Sequence, residues 1–380
     1  MSTTDSTAGA AGAPRPGPSS GGSVTTVTGE VPPDALGVVL PHEHLLSDFA
    51  PPADTAESWA AAGHPRPAAA APCRLYHAPL TMDLLGDLTL GAVNRDNWLL
   101  DDEQVAASEA TAFRAAGGGT LVDATPAGLG RQPAALRRIA EASGVHLVMG
   151  TGRHHPGRPT GPISPTSPAS PGVGELTEEF VRDLTEGVAG VRAGLIGQLA
   201  ALDPEQPAAR TLLVAAAGGA ATTGAPLALT RSADAATQTR VLDLLAASGA
   251  DLRRVAVGGC DALAPRPDDL EPLLARGVFL QFDRLGRLPS VHSVSDDQDV
   301  GAGGGGPPAP PPPPADRILL SHGTHTKAQL LAYGGGGYGF LLQQFLPYLR
   351  MVGADETLIE TVTVHNPARL LTIAHRRADA

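Results

Sequence analysis

The stretch Gly37-Val38-Val39-Leu40-Pro41-His42-Glu43-His44-Leu45 puts two histidines two residues apart at the end of an apolar run. On an extended strand, side chains alternate between faces, so His42 and His44 share one side and Glu43 takes the other. That is the geometry of a metal-ligand pair. It is equally the geometry of two imidazoles that hydrogen-bond to their neighbours in a packed interior. Other groups able to do chemistry close apolar runs further along: Asp123 in "VDAT", Cys260 and Asp261 in "GGCD", Asp283 and Arg284 in "QFDRLG", His322 and His325 in "SHGTHT". His154 and His155 stand beside a proline-rich stretch and read as solvated loop residues.

The elements that must position these residues are legible as an alternation. Apolar runs occur at 37–44, 119–125, 145–152, 193–200, 225–230, 254–261, 278–283 and 317–323. Between them, stretches such as 101–116, 132–143, 174–192 and 234–249 carry apolar residues at helical spacing. Short, continuously apolar strands separated by helices imply a parallel sheet buried on both faces. A count of eight favours a closed (β/α)8 TIM barrel, a single-domain α/β fold, over an open doubly wound sheet. In such barrels the reactive groups sit at the C-terminal ends of the strands, which is where His42 and His44 fall.

Composition bounds the rest. The chain has 380 residues, 42% of them hydrophobic and 17% charged, enough to bury a large core. A formal charge of −12 leaves no basic face for a phosphate backbone, so nucleic acid is not an expected partner. No apolar run approaches the roughly 20 residues that cross a bilayer. Cys73 and Cys260 are too few for a disulfide framework and fit a reducing compartment. A cytoplasmic protein is expected. Residues 1–22 lack the pattern of a signal peptide and read as a disordered tail before a barrel spanning 23–376. Proline- and glycine-rich insertions near 156–173 and 296–315 read as flexible surface loops, because they cannot supply ladder hydrogen bonds or a buried face.

Three segments carry a resemblance to a known family: "TVTGEVPPDALGVVLPHEHLLSD" (26–48), "AAGGGTLVDATPAGLGRQPAALRRIAEASGVHLVMGTG" (115–152), and the run from "ILLSHGTHTKAQ" to "VTVHNPARLL" (318–371). Together they resemble the phosphotriesterase family of the amidohydrolase superfamily, metal-dependent hydrolases on a (β/α)8 barrel. Val39 stands where that family usually has Thr. The resemblance implies two divalent metals, usually zinc, held by six protein ligands. His42 and His44 match the first two. Four places depart from the pattern. Gln198 occupies that of the bridging Lys or Glu after the fourth strand, and Thr230 that of a His after the fifth. Gly259 replaces the His of the sixth-strand run, and Gly323 the Asp of the eighth.

The exchanges have a direct physical meaning. A bridging carboxylate neutralises charge between two cations, whereas an amide oxygen is a weaker donor and leaves their repulsion uncompensated. Zinc catalysis normally takes three protein ligands and an open position. The lost aspartate is also the family's proton acceptor. Two-metal hydrolysis by the family's route is therefore expected to be absent, with zinc at low occupancy. Two classes of function remain: a degenerate homologue that binds a small molecule in the barrel mouth, or a hydrolase of altered chemistry. The second would use a mononuclear site of His42, His44 and Cys260 or Asp261, with Gln198 as a weak donor. Without metal it would use Asp261, His322 and Arg284. The resemblance further implies a homodimer.

Overall fold

The computed structural model describes residues 21–51, 53–61, 64–153, 171–232, 234–287 and 315–374. Within them, each of the eight apolar runs forms a strand: β1 Val38–Glu43, β2 Gly118–Asp123, β3 His146–Thr151, β4 Leu195–Leu199, β5 Leu227–Thr230, β6 Val255–Gly258, β7 Phe279–Phe282 and β8 Ile318–Leu320. They lie in chain order in one sheet, every adjacent pair parallel. The gap between β8 and β1 is bridged just past the strand ends, where Gly323 N donates to His42 O at 3.0 Å and His44 N to Thr324 O at 3.0 Å. The expected eight-stranded parallel barrel is thus present, and the open sheet is excluded by these bonds.

Strand alternation sorts the apolar side chains into two layers. Val39, Val122, Val148, Leu195, Ala228, Ala256, Phe279 and Leu319, one from each strand, meet inside the barrel as a continuous cluster with Val24, Leu36, Leu370 and Leu371. The intervening residues, Leu40, Leu121, Leu147, Ile196, Leu229, Val257, Leu280 and Leu320, pack outward beneath the helices. The interior is therefore filled at its N-terminal end, and polar side chains are left for the C-terminal mouth. A hairpin of Gly22–Thr26 and Gly29–Val31, paired with Ile373–Ala374, covers the filled end.

Local signals set the helix boundaries. The helix Glu103–Ala115 starts where Asp102 accepts from Gln104 N and Val105 N, and Ala235–Ala247 where Asp234 accepts from Thr237 N. Pro133 opens Pro133–Ser143, and Gly144 ends it at φ +69°, a left-handed conformation that glycine adopts without strain. The stretch expected to be helical over 174–192 stops at Thr185, because Val188 and Val191 bridge to each other and turn the chain toward β4.

Most of the expected tail and of the two proline- and glycine-rich insertions lies outside the described residues. At their edges the boundaries move: Gly22 already belongs to a strand, Val173 opens a helix, and Ala315 begins a short 3-10 turn. No helix among the described residues is long and apolar enough to cross a membrane.

Candidate functional site at the barrel mouth

His42 and His44 leave β1 side by side, with ring centroids 5.3 Å apart. The Nδ1 of His42 lies 2.7 Å from Asp283 Oδ2. An ionised carboxylate only accepts, so Nδ1 carries the proton and Nε2 keeps its lone pair. That Nε2 has no hydrogen-bond partner among the described residues. His44 shares a 2.8 Å hydrogen bond between its Nδ1 and Thr125 Oγ1, and its carbonyl accepts from the Tyr338 hydroxyl at 2.8 Å. Both rings are thus fixed through Nδ1.

Asp283 is the hub of the mouth. It follows Phe279 and Gln281 on one face of β7 and its extension. Its Oδ2 accepts from His42 and from Gln281 Nε2 (3.0 Å), while Oδ1 accepts from Gly259 N (2.9 Å). Burial opposes its ionisation, but the bond and charge of His42 outweigh that cost, helped by Gln281 and Arg287, and hold the carboxyl down at about 2. Directly beneath it, a Cβ on Gly258 would stand 2.5 Å from Asp283 Oδ2, 3.1 Å from Gln281 Nε2 and 3.2 Å from Gln198 Nε2. A larger residue there would push the hub off His42.

The four altered places converge on this cluster. Gln198 Nε2 donates to Thr230 Oγ1 at 3.0 Å, and the Gln198 Oε1 is buried with no partner. A Cβ on Gly259 would face Thr230 Cγ2 at 3.9 Å, and Gly259 N is bound to Asp283. Gly323 N reaches the His42 carbonyl. Gln198, Thr230, Gly259 and Gly323 therefore surround the same mouth as the histidine pair. Among the described residues, no three His, Cys, Asp or Glu side chains are grouped so as to hold a metal ion.

Glu43, turned away from the histidines as alternation predicts, is fully buried and closes the barrel electrostatically. It accepts from Ser321 Oγ (2.8 Å), His322 N (2.8 Å) and Thr324 N (2.9 Å). Burial works against its ionisation, and His322 with the backbone donors more than offsets this, leaving its carboxyl below the usual range. His322 Nε2 accepts from Leu341 N at 3.1 Å, which places the ring proton on Nδ1, 3.1 Å from Glu43 Oε1 but off the line of a hydrogen bond.

The remaining candidates are engaged elsewhere. Asp261 spends both oxygens on the backbone, accepting from Asp283 N (3.0 Å) and Arg284 N (3.2 Å), and burial together with Asp283 raises its carboxyl. Arg284 is exposed, and His322 is 2% exposed with both nitrogens facing protein. The expected grouping of Asp261, His322 and Arg284 as catalytic side chains is not assembled, because each is held by backbone or turned to solvent. Cys260 packs in the outer core, its Sγ donating to Val257 O at 3.1 Å. Burial pushes its thiol up to about 12, with Asp283 adding to the effect, so the thiolate that a zinc ligand requires is disfavoured. Asp123 accepts from Leu45 N and Thr125 N, and burial raises it to about 6 against those bonds. It positions the segment after β1 and the partner of His44.

Thr125, Gln281, Ser321 and Tyr338 belong to the site but were not singled out from sequence. Gln281 carried a readable signal, a polar residue inside "VFLQFD" two positions before Asp283.

A parallel eight-stranded barrel with a strand-one His-x-His at its C-terminal mouth is the arrangement that the resemblance to the phosphotriesterase family implies. The model of the phosphotriesterase family matches residues 22–371, and the chain belongs to that family. N-acetyltaurine hydrolase of Homo sapiens is 27% identical over 363 residues, covering 92% of this chain and 98% of that relative. Among solved structures, a Resiniferatoxin-binding protein from Rhodobacter sphaeroides is 32% identical, with a TM-score of 0.74 over 92% of this chain and 95% of that one. The lactonase Lmo2620 from Listeria monocytogenes shares the fold, with a TM-score of 0.69 at 20% identity over 93% of this chain and all of that one. The hydrolase names among these relatives lend no support to a non-hydrolytic homologue.

Proposed function

We infer that this chain binds a small organic molecule at the barrel mouth and does not carry out two-metal hydrolysis. The observation behind this reading is the donor set. Of six family ligand places, two hold histidines, one a neutral amide, one the threonine that this amide is bonded to, and two glycine. A binuclear centre needs a bridging anion and an acidic residue after β8, and neither is available. The residues present do not fit two divalent metals. The name of the Resiniferatoxin-binding protein agrees with a binding role.

The relatives named N-acetyltaurine hydrolase support a second reading, a hydrolase of altered chemistry acting on an amide, ester, lactone or phosphoester. One feature of the site favours it too, the Nε2 of His42, held by Asp283 from behind and available to one metal or to a substrate. The two readings separate in one experiment. Protein purified without a metal-affinity tag is analysed for zinc, then assayed against a phosphotriester, a lactone, a carboxylic ester and an N-acetyl amide beside a His42→Ala/His44→Ala control. Well under one zinc per chain, with no rate above the control, is expected. Stoichiometric zinc with metal-dependent turnover would overturn the first reading in favour of the second.

A further inference from the structure

The chain is acidic overall, and about half of the arginines among the described residues meet a carboxylate. Arg66, Arg95, Arg131, Arg138, Arg153 and Arg192 each meet one within 3 Å. Arg284 and Arg287 make no ion pair with a carboxylate among the described residues. Among the described residues the side chain of Arg287 makes one hydrogen bond, Nη2 to the Gly323 carbonyl at 3.5 Å, the outer limit of such a bond. Burial and the like charge of Arg284 lower its guanidinium, against the pull of Asp283, Asp261 and Glu43. Those carboxylates, however, direct their oxygens at His42, Gln281, Ser321 and backbone amides, so the guanidinium fork stays unused.

Arg287 also lines a cavity of about 170 Å³, with His325, Thr326 and Gln329 as polar walls and Leu88 and Ala328 as apolar ones. A water molecule takes about 30 Å³ in the liquid, so this space admits a head group of several heavy atoms. The cavity adjoins the histidine pair through one ring: His325 lies 5.0 Å from Phe49, and Phe49 lies 4.8 Å from His44, between ring centroids. His325 is fixed by a 2.7 Å contact from Nδ1 to the Gly323 carbonyl, the group that Arg287 also approaches.

We propose that this cavity is a subsite for the anionic head group, a carboxylate, sulfonate or phosphate, of a small molecule whose other end lies against His42 and His44. Arg287 supplies the fork that oxyanions accept from, and Gln329 supplies Nε2 as a neutral donor, its Oε1 being held by the His325 and Thr326 amides and the Thr326 hydroxyl. This assignment rests on the reading of the mouth as a small-molecule site and specifies the charge of what it takes.

The test is calorimetric titration of the full-length chain, in chloride buffer, with butyrate, propane-1-sulfonate and inorganic phosphate, each set against butyramide as neutral isostere. At least one anion is expected to bind at one site per chain, and butyramide not to. The order among the three tells carboxylate from sulfonate from free phosphate. Arg287→Gln should weaken the preferred anion about ten- to a hundredfold and Arg287→Lys less, with thermal melts of each variant confirming that the fold is retained. Equal binding of butyramide and the anions, or an unchanged affinity in Arg287→Gln, overturns the subsite but leaves the mouth as a binding site. Zinc-dependent ester turnover together with Arg287-dependent anion binding would instead overturn the reading of the mouth and keep the subsite.

Discussion

Replacing Asp283 by Asn tests the hub of the mouth, because it changes charge and proton placement with little change of shape. In the native arrangement the carboxylate accepts three hydrogen bonds, from His42 Nδ1, Gln281 Nε2 and Gly259 N. A bond to an ionised acceptor contributes roughly 1.5–3 kcal/mol and a neutral one roughly 0.5–1.5, so each bond weakens by about 1 kcal/mol. The variant can keep its oxygen on Gly259 N and turn its NH2 toward Oδ2's former partners. Gln281 can meet that NH2 by turning its amide over, since its Oε1 is at present buried without a partner. His42 can meet it only by accepting at Nδ1, which moves the ring proton to Nε2. The net cost is about 2–3 kcal/mol in urea unfolding at pH 7.

The pH dependence gives the charge-specific readout. Asp283 is held at about 2 in the folded chain, below the ordinary carboxylate value of about 3.9 in the unfolded one. A lowered folded value makes the unfolded state bind more protons in this interval, so stability from Asp283 is full above about pH 4 and is lost as pH falls through 2. The gap between wild type and Asp283→Asn should therefore be constant from pH 7 to 5 and shrink below pH 4. Nitrogen-15 NMR of the imidazoles should show His42 protonated at Nδ1 in the wild type and at Nε2 in the variant. An equally stable variant at pH 7, a gap that does not narrow in acid, or an unchanged tautomer would refute the reasoning.

Asp123 has the opposite sign. Burial raises it to about 6, so the folded state holds its proton more tightly, and its contribution, full below about pH 4, is lost as pH rises through 6. Urea stability should fall by at most about 3 kcal/mol across that window, and Asp123→Asn should flatten the fall. Glu43→Gln should cost about 2–4 kcal/mol by chemical denaturation, because one of the Ser321, His322 and Thr324 donors is left facing an NH2 in a fully buried place. A loss under about 1 kcal/mol would mean that this clamp does not hold β8 to β1.

The barrel was legible because its strands are continuously apolar. A run buried on both faces needs no partner to be recognised, and each of the eight became a strand within a few residues of its expected ends. The segment between β1 and β2 was not. Its helices, Ala56–Ala61, Ala70–His77 and Leu85–Thr89, run only 6, 8 and 5 residues, too short for a helical repeat to stand out. They are held by polar contacts remote in sequence: Asn94 Nδ2 caps the Leu75 and Ala78 carbonyls, and Lys327 reaches Asp96 across 231 positions. The site divides the same way. The His42 and His44 pair was visible as a local pattern, but its partner Asp283 is 241 positions away and Thr125 is 81. Spacing alone could not say which carboxylate stands behind which imidazole. Arg287 was invisible for a related reason, since its interest lies in pairing that does not occur.

The same geometry couples each altered place at the mouth to its neighbours. Gly323 sits at φ +57°, and a Cβ there would lie 2.7 Å from the Asp283 carbonyl, so an aspartate at this place requires the β7 loop to move. Gly259 sits at φ +74° with its amide bound to the Asp283 carboxylate, so a histidine there is strained as well and disturbs the group that orients His42. Gln198 Nε2 and Thr230 Oγ1 are bonded to each other, and changing either residue alone strands the other's polar atom near the barrel centre. Each missing ligand is thus coupled through Asp283 or through a neighbouring hydrogen bond to the residues that remain. A carboxylate restored at 198 without the histidines would be an unpaired buried charge, and histidines restored without it would leave two cations unbalanced. Recovery of a binuclear centre therefore requires Gln198→Glu, Thr230→His, Gly259→His and Gly323→Asp together with a shift of the loop after β7, the loop that carries Arg287.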